Sequence, residues 1–157
     1  MKYTIEDHER AERAVEALFR EVAARYDHAA VDTNLPGGPN EEPCLVRLSC
    51  SVADTTKVEA IADADMVNLY LGEATWLELV PRRGQPGSIS DTVRDVVEAA
   101  VAGRFEERVR EAKGQVIGSR STFHLSTGKR FVVVGHNLGA NVLFSGRRRT
   151  IRYQPYE

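Results

Sequence analysis

Arginine and tyrosine crowd the end of the chain: Arg147, Arg148, Arg149, Arg152, Tyr153 and Tyr156. Guanidinium groups contact phosphates and carboxylates, and aromatic rings stack on bases. The tail is therefore a candidate binding element. A second is the loop Pro81-Arg82-Arg83-Gly84-Gln85-Pro86-Gly87, whose composition predicts exposure of Arg82 and Arg83. No RNP-type motif, KH loop or zinc spacing accompanies these arginines, and the chain's net charge is −2. An acidic protein surface is thus expected ahead of nucleic acid. The same tail also reads as a charged edge strand that resists pairing.

Other residues with chemical potential lack partners in sequence. Val132-Val133-Val134-Gly135-His136-Asn137-Leu138-Gly139 resembles the nucleophile elbow of the α/β-hydrolases, a strand followed by G-x-S-x-G. Its central position, Asn137, offers no hydroxyl, and the 20 residues beyond it hold no His and one acid, Glu157. The bland reading is a turn that uses Gly135 and Gly139 for unusual backbone angles. His8, His28, His124 and His136 are scattered, and His8-Glu9 lacks the second His of a zinc helix. Asp63 and Asp65, with Asp54 and Glu59, read as solvated acids before they read as a cation site. Glu73 and Glu78 lie on a hairpin with no defined acid–base partner. No metal or cofactor is expected. Cys44 and Cys50, on one face of a strand, would stand about 20 Å apart, too far for a disulfide. Free thiols suit a reducing compartment, so the expected location is the cytoplasm.

The elements that must position these residues follow from periodicity. Val15, Leu18, Phe19, Val22 and Tyr26 make one helical stripe, predicting a helix over about 5–28, capped at Thr4. Val93, Val96, Val97, Ala100, Val101 and Phe105 predict a second, over about 91–112, with Gly103 inside it and Gly114 as its stop. Cys44 to Val52 alternates as a strand, Asp54 to Ala64 predicts a short helix, and 66–71 with 75–80 predict a hairpin around Gly72-Glu73. Ile117 to Leu125 alternates. Phe131 to Val134 is apolar on both faces, which predicts a central strand. Asn141 to Phe144 and Thr150 to Tyr153 are shorter strand candidates.

This order predicts one α+β domain over 1–157: a mostly antiparallel sheet of about five to seven strands with two long helices packed on it. Regular βαβ alternation is missing, which argues against a doubly wound nucleotide-binding fold. A chain of 157 residues, 42% apolar and 28% charged, buries enough surface to fold without metal or disulfide. No apolar run exceeds four residues, far short of a membrane span, and the first residues lack the apolar stretch of a secretion signal. Residues 1–80 carry 7 basic and 16 acidic side chains, whereas residues 81–157 carry 14 basic and 7 acidic. Segregated on the surface, such charge steers partners. Arginine outnumbers lysine 17 to 4, the mark of a high-GC bacterium.

The expected function is that of a small non-enzymatic protein-interaction domain. A nucleic-acid-associated protein using the basic tail is the first alternative, and an enzyme whose groups converge from distant positions is the second. In size and α+β order the chain is similar to immunity proteins of bacterial toxin systems and to small secretion-type chaperones. The stretch Trp76–Arg120, with Val101-Ala102-Gly103-Arg104-Phe105-Glu106-Glu107-Arg108, resembles proteins of high-GC actinobacteria. The resemblance to immunity proteins and chaperones implies a protein partner; the second brings no activity with it. The broad apolar helix faces also allow a homodimer.

Overall fold

The computed structural model describes residues 3–35, 44–80, 89–136 and 146–157. Thr4 starts the first helix, α1 (Ile5–Ala23), through a reciprocal cap: its hydroxyl accepts from the Asp7 N–H, and Asp7 accepts from the Thr4 N–H. Ala11, Val15, Leu18, Phe19 and Val22 are its buried stripe. It stops at Ala23, short of the predicted 28, because the chain must turn before β1 (Ala29–Leu35). Tyr26 belongs to that turn and meets Tyr156 edge-to-face at 5.9 Å.

An antiparallel meander follows: β2 (Cys44–Cys50), β3 (Val58–Ala62), β4 (Val67–Leu71) and β5 (Thr75–Leu79), ordered β1-β2-β3-β4-β5. The hairpin expected around Gly72 is β4–β5. The short helix expected at 54–64 is instead strand β3, since Val58 and Ala60 bury one face between β2 and β4. α1 packs on β1, β2 and β3. On the opposite face of this sheet, Asp32, Arg47, Glu59, Tyr70 and Trp76 form one row.

The second helix, α2 (Asp91–Val101), is capped by Ser90, whose hydroxyl accepts from the Val93 N–H at 3.2 Å. It ends eleven residues before the predicted 112. Gly103 is its stop, with φ +66°, and a Cβ there would stand 2.8 Å from the Pro155 nitrogen. Residues 105–112 are strand β6 (Phe105–Ala112). A second antiparallel sheet contains β6, β7 (Gln115–His124), β8 (Arg130–His136) and β9 (Arg147–Arg152), ordered β8-β7-β6-β9. Among the described residues the architecture is thus α+β, but with two sheets of five and four strands instead of one, and helices of 19 and 11 residues. Among the described strands, Phe131–Val134 lies at an edge and not at the centre. Phe131 and Val133 turn toward the core, while Val132 and Val134 are 36% and 53% exposed. The loop candidate at 81–87 and the strand candidate at 141–144 lie outside the described residues.

A buried carboxylate joins the two sheets. Glu107, on the inner face of β6, is 0% exposed. It accepts from the Glu73 N–H at 2.9 Å, the Ala74 N–H at 3.1 Å, the Thr75 hydroxyl and the Tyr153 hydroxyl at 2.5 Å. Four donors satisfy carboxyl oxygens that burial would otherwise leave unpaired. Gly72 turns the hairpin at φ +59°, and a Cβ there would reach within 2.4 Å of the Glu107 Oε2. Thr75 also shares a hydrogen bond with Ser121 at 2.5 Å, and the Ser119 hydroxyl donates to the Ala74 carbonyl at 3.3 Å. The tip of β4–β5 is therefore bolted to β6 and β7.

The tail locks both halves together. The Gln154 N–H donates to the Asp54 carbonyl at 2.9 Å, and the Tyr156 N–H to the Val101 carbonyl at 2.8 Å. The Tyr156 side chain is fully buried, and its hydroxyl donates to the Thr56 carbonyl and to the Leu48 carbonyl at 3.2 Å.

Candidate functional site

Alternation along the four-stranded sheet sorts its side chains into two sets. Phe105, Glu107 and Val109 on β6, with Ile117, Ser121 and Phe123 on β7, turn inward and are buried. The opposite set faces outward: Glu106, Arg108 and Arg110 on β6; Gly118, Arg120 and Thr122 on β7; Arg130, Val132 and Val134 on β8; Arg148, Thr150 and Arg152 on β9. Strand register assembles these into rows. Thr150, Arg108, Arg120 and Val134 form one, Arg148, Arg110 and Gly118 the next, and Arg152, Glu106, Thr122 and Val132 a third. Six arginines thus share a face on which Glu106 is the carboxylate at these positions.

Glu106 does not neutralise that face. It accepts from Arg152 Nε and Arg108 Nε, each at 3.0 Å. The Arg152 bond, followed by that of Arg108, holds its carboxyl below the usual carboxylate range. One carboxylate fixes two guanidinium groups and leaves positive charge in excess. Beside it a groove of about 750 Å³ runs over Arg108, Arg110, Gly118, Arg120, Val134, Arg148 and Thr150. A guanidinium fork binds carboxylates and phosphates through paired N–H groups, so this groove is built for anions.

The tail candidates separate in the fold. Arg148 and Arg152 join the outer face, and Arg147 is exposed at the start of β9. Arg149 turns the other way, donating to Glu73 at 3.0 and 2.7 Å and to Glu111 at 2.5 Å. Those bonds raise its pKa and tie β9 to the β4–β5 tip. Tyr153 stacks on Phe105, with centroids 5.0 Å apart and planes at 5°, and donates to Glu107. Tyr156 sits in the core. Neither ring presents a stacking surface to a base. Arg82 and Arg83 lie outside the described residues.

Four arginines of the face, Arg108, Arg110, Arg120 and Arg130, escaped the sequence reading. Their signal was the arginine at alternate positions of β6, Arg108 and Arg110, which a helical reading of 91–112 spread around a cylinder. The charge asymmetry proves to be partly internal. Arg149–Glu73, Arg94–Glu21 and Arg25–Glu98 pair the basic and acidic halves, whereas Arg108, Arg120, Arg130, Arg148 and Arg152 are exposed.

Other candidates do not converge. His124 lies across from Arg130 on the outer face, and Asn137 and Gly139 lie outside the described residues. Asp63 contacts His8, and Glu59 is engaged by Arg47 and Lys57. Among the described residues no group of three or more His, Cys, Asp or Glu is placed to hold a metal. A smaller groove of about 310 Å³ on the first sheet is lined by Lys57, Glu59, Tyr70 and Trp76. Trp76 there is 53% exposed. No described helix is long and apolar enough to cross a membrane. No protein-family model matches the chain, and no curated protein or solved structure matches it.

Proposed function

We propose that this chain is a non-enzymatic interaction domain that receives an acidic surface of a partner protein on the outer face of its four-stranded sheet. The observation that carries the reading is the array of Arg108, Arg110, Arg120, Arg130, Arg148 and Arg152 around Glu106. Such a field accelerates encounter with an acidic partner and sets its orientation. Exposed Val132 and Val134 border the arginines and supply the apolar contact that a protein interface needs. Neutralising or escorting a partner, as immunity proteins and secretion chaperones do, is the role this surface suits. The reading places the protein in the cytoplasm, where free Cys50 stays reduced.

Nucleic acid fits the face less well. Sheet platforms that bind single strands stack several bases on outward aromatics; the outward positions named above carry no Phe, Tyr or Trp, and the ring on this face is that of His124. The test is capture of partners from host lysate, with nuclease present, by the natural chain and by the Arg108→Glu/Arg120→Glu/Arg148→Glu variant. A stoichiometric protein retained by the first and lost by the second supports the proposal. Equal retention by both, or nucleic acid as the sole material recovered without nuclease, overturns it.

A further inference from the structure

Two arginine pairs on the outer face stand where a sheet disfavours them. Residues directly opposite on neighbouring strands bring their Cβ atoms to about 5 Å, and like charges there repel. β6 nevertheless sets Arg108 directly across from Arg120 of β7, and Arg110 directly across from Arg148 of β9. Arg108 and Arg110 follow each other on one face of one strand, about 7 Å apart, so the two pairs adjoin. Glu106 reaches Arg108 through Nε and is shared with Arg152. Arg120 and Arg148 are exposed, and among the described residues neither has a carboxylate partner. All four arginines line the groove of about 750 Å³, with Gly118, Val134 and Thr150 between and beside them.

We propose that this groove is a binding site for a small oligophosphate, a ligand with two or more phosphoryl groups in a chain. A terminal phosphoryl group carries about −1.5 to −2 charges at neutral pH and three acceptor oxygens. A carboxylate offers one charge and two oxygens. One phosphoryl group can therefore accept from both guanidiniums of a pair, which turns their repulsion into attraction. Two adjoining pairs call for two such groups in one molecule. The four arginines stand on three paired strands of one sheet, so their spacing is set before the ligand arrives. The outward positions of this face carry no Phe, Tyr or Trp to take a base, so the phosphate chain is the part recognised. Ligand and acidic partner contend for the same arginines. That consequence rests on the proposed partner, whereas the site itself does not.

The test is calorimetric titration of the whole chain with inorganic tripolyphosphate. One molecule should bind per chain, at least about tenfold more tightly than citrate, a tricarboxylate. Arg120→Gln/Arg148→Gln, its fold checked by circular dichroism, should weaken binding at least about tenfold, since it removes one guanidinium from each pair. Lys129→Gln/Arg130→Gln removes as many charges away from the groove and should leave the affinity within about twofold. Adenosine triphosphate binding as tightly as tripolyphosphate supports recognition of the phosphate chain alone; binding about tenfold tighter assigns a nucleotide as its source. Citrate binding as tightly as tripolyphosphate overturns the site, whatever the variants do. Equal loss in the two double variants overturns it as well and leaves a diffuse positive field. Absence of tripolyphosphate binding also overturns it, and it leaves the acidic-partner reading standing, because the titration involves no partner.

Discussion

Replacing Glu107 by alanine removes the acceptor shared by four donors. The Thr75 hydroxyl can turn fully to Ser121, 2.5 Å away, and half-buried Tyr153 can turn to water. The Glu73 and Ala74 N–H groups lose the acceptor that they share. Each donor left unsatisfied costs about 1–3 kcal/mol, so the expected loss is about 3–5 kcal/mol, which is also the scale for breaking a buried ionic arrangement. A domain of this length has about 5–15 kcal/mol in total. At about 2–4 °C per kcal/mol, the midpoint of thermal unfolding should fall by about 6–20 °C. Glu107→Gln keeps the shape but turns an NH2 toward donors, and it should lie between the natural chain and the alanine variant. Urea unfolding followed by circular dichroism measures both. A loss below about 1 kcal/mol for alanine would refute the view that this carboxylate joins the sheets.

Three further outcomes follow from the same contacts. Gly103→Ala should destabilise by about 2 kcal/mol or more, since it combines a positive φ with a clash against Pro155; urea unfolding checks it. Tyr156→Ala should cost about 3–5 kcal/mol as a fully buried aromatic, whereas Tyr156→Phe should cost about 1 kcal/mol for its lost hydrogen bonds. Burial, then the Glu107 carboxylate, raises the Tyr153 phenol, and burial raises that of Tyr156. A raised folded value means that the unfolded chain ionises first. The stability these phenols contribute is therefore whole below the ordinary value of 10.0 and declines as pH rises past it. The urea midpoint should drop between about pH 10 and 11, less steeply in Tyr153→Phe.

Much of the local structure was legible in the residues. The stripe of α1, the β4–β5 hairpin and the alternation of β7 obey simple periods and appear where those periods place them. The errors have one physical source: buried polar and exposed apolar residues that serve tertiary contacts. Glu107 occupies an inward position of β6, and a charge there hid the two-residue period, so 105–112 read as helix. Val132 and Val134 made β8 look central, though position in a sheet depends on neighbours distant in sequence. The arginine face was half legible. Arg148 and Arg152 belong to it, but the alternation that turns Arg149 inward had to be known before Arg149 could be separated from them. Tyr153 and Tyr156 looked like a recognition surface because composition does not reveal which way a strand turns its rings.

The closure of the first sheet by the C-terminal tail bears on when the chain can fold. Tyr156 bonds to carbonyls 100 and 108 positions earlier, at Thr56 and Leu48, and Gln154 bridges to Thr55. Contacts this far apart slow folding, because a long loop must close before they form. On the ribosome, α1 and the five-stranded meander emerge first, with a place in their core that only residue 156 fills. The amino-terminal half must wait, incomplete, until residues 154–156 have left the exit tunnel. Synthesis that stalls after β5 but before them yields a chain that has every strand of its first sheet and lacks the Tyr156 side chain of its core.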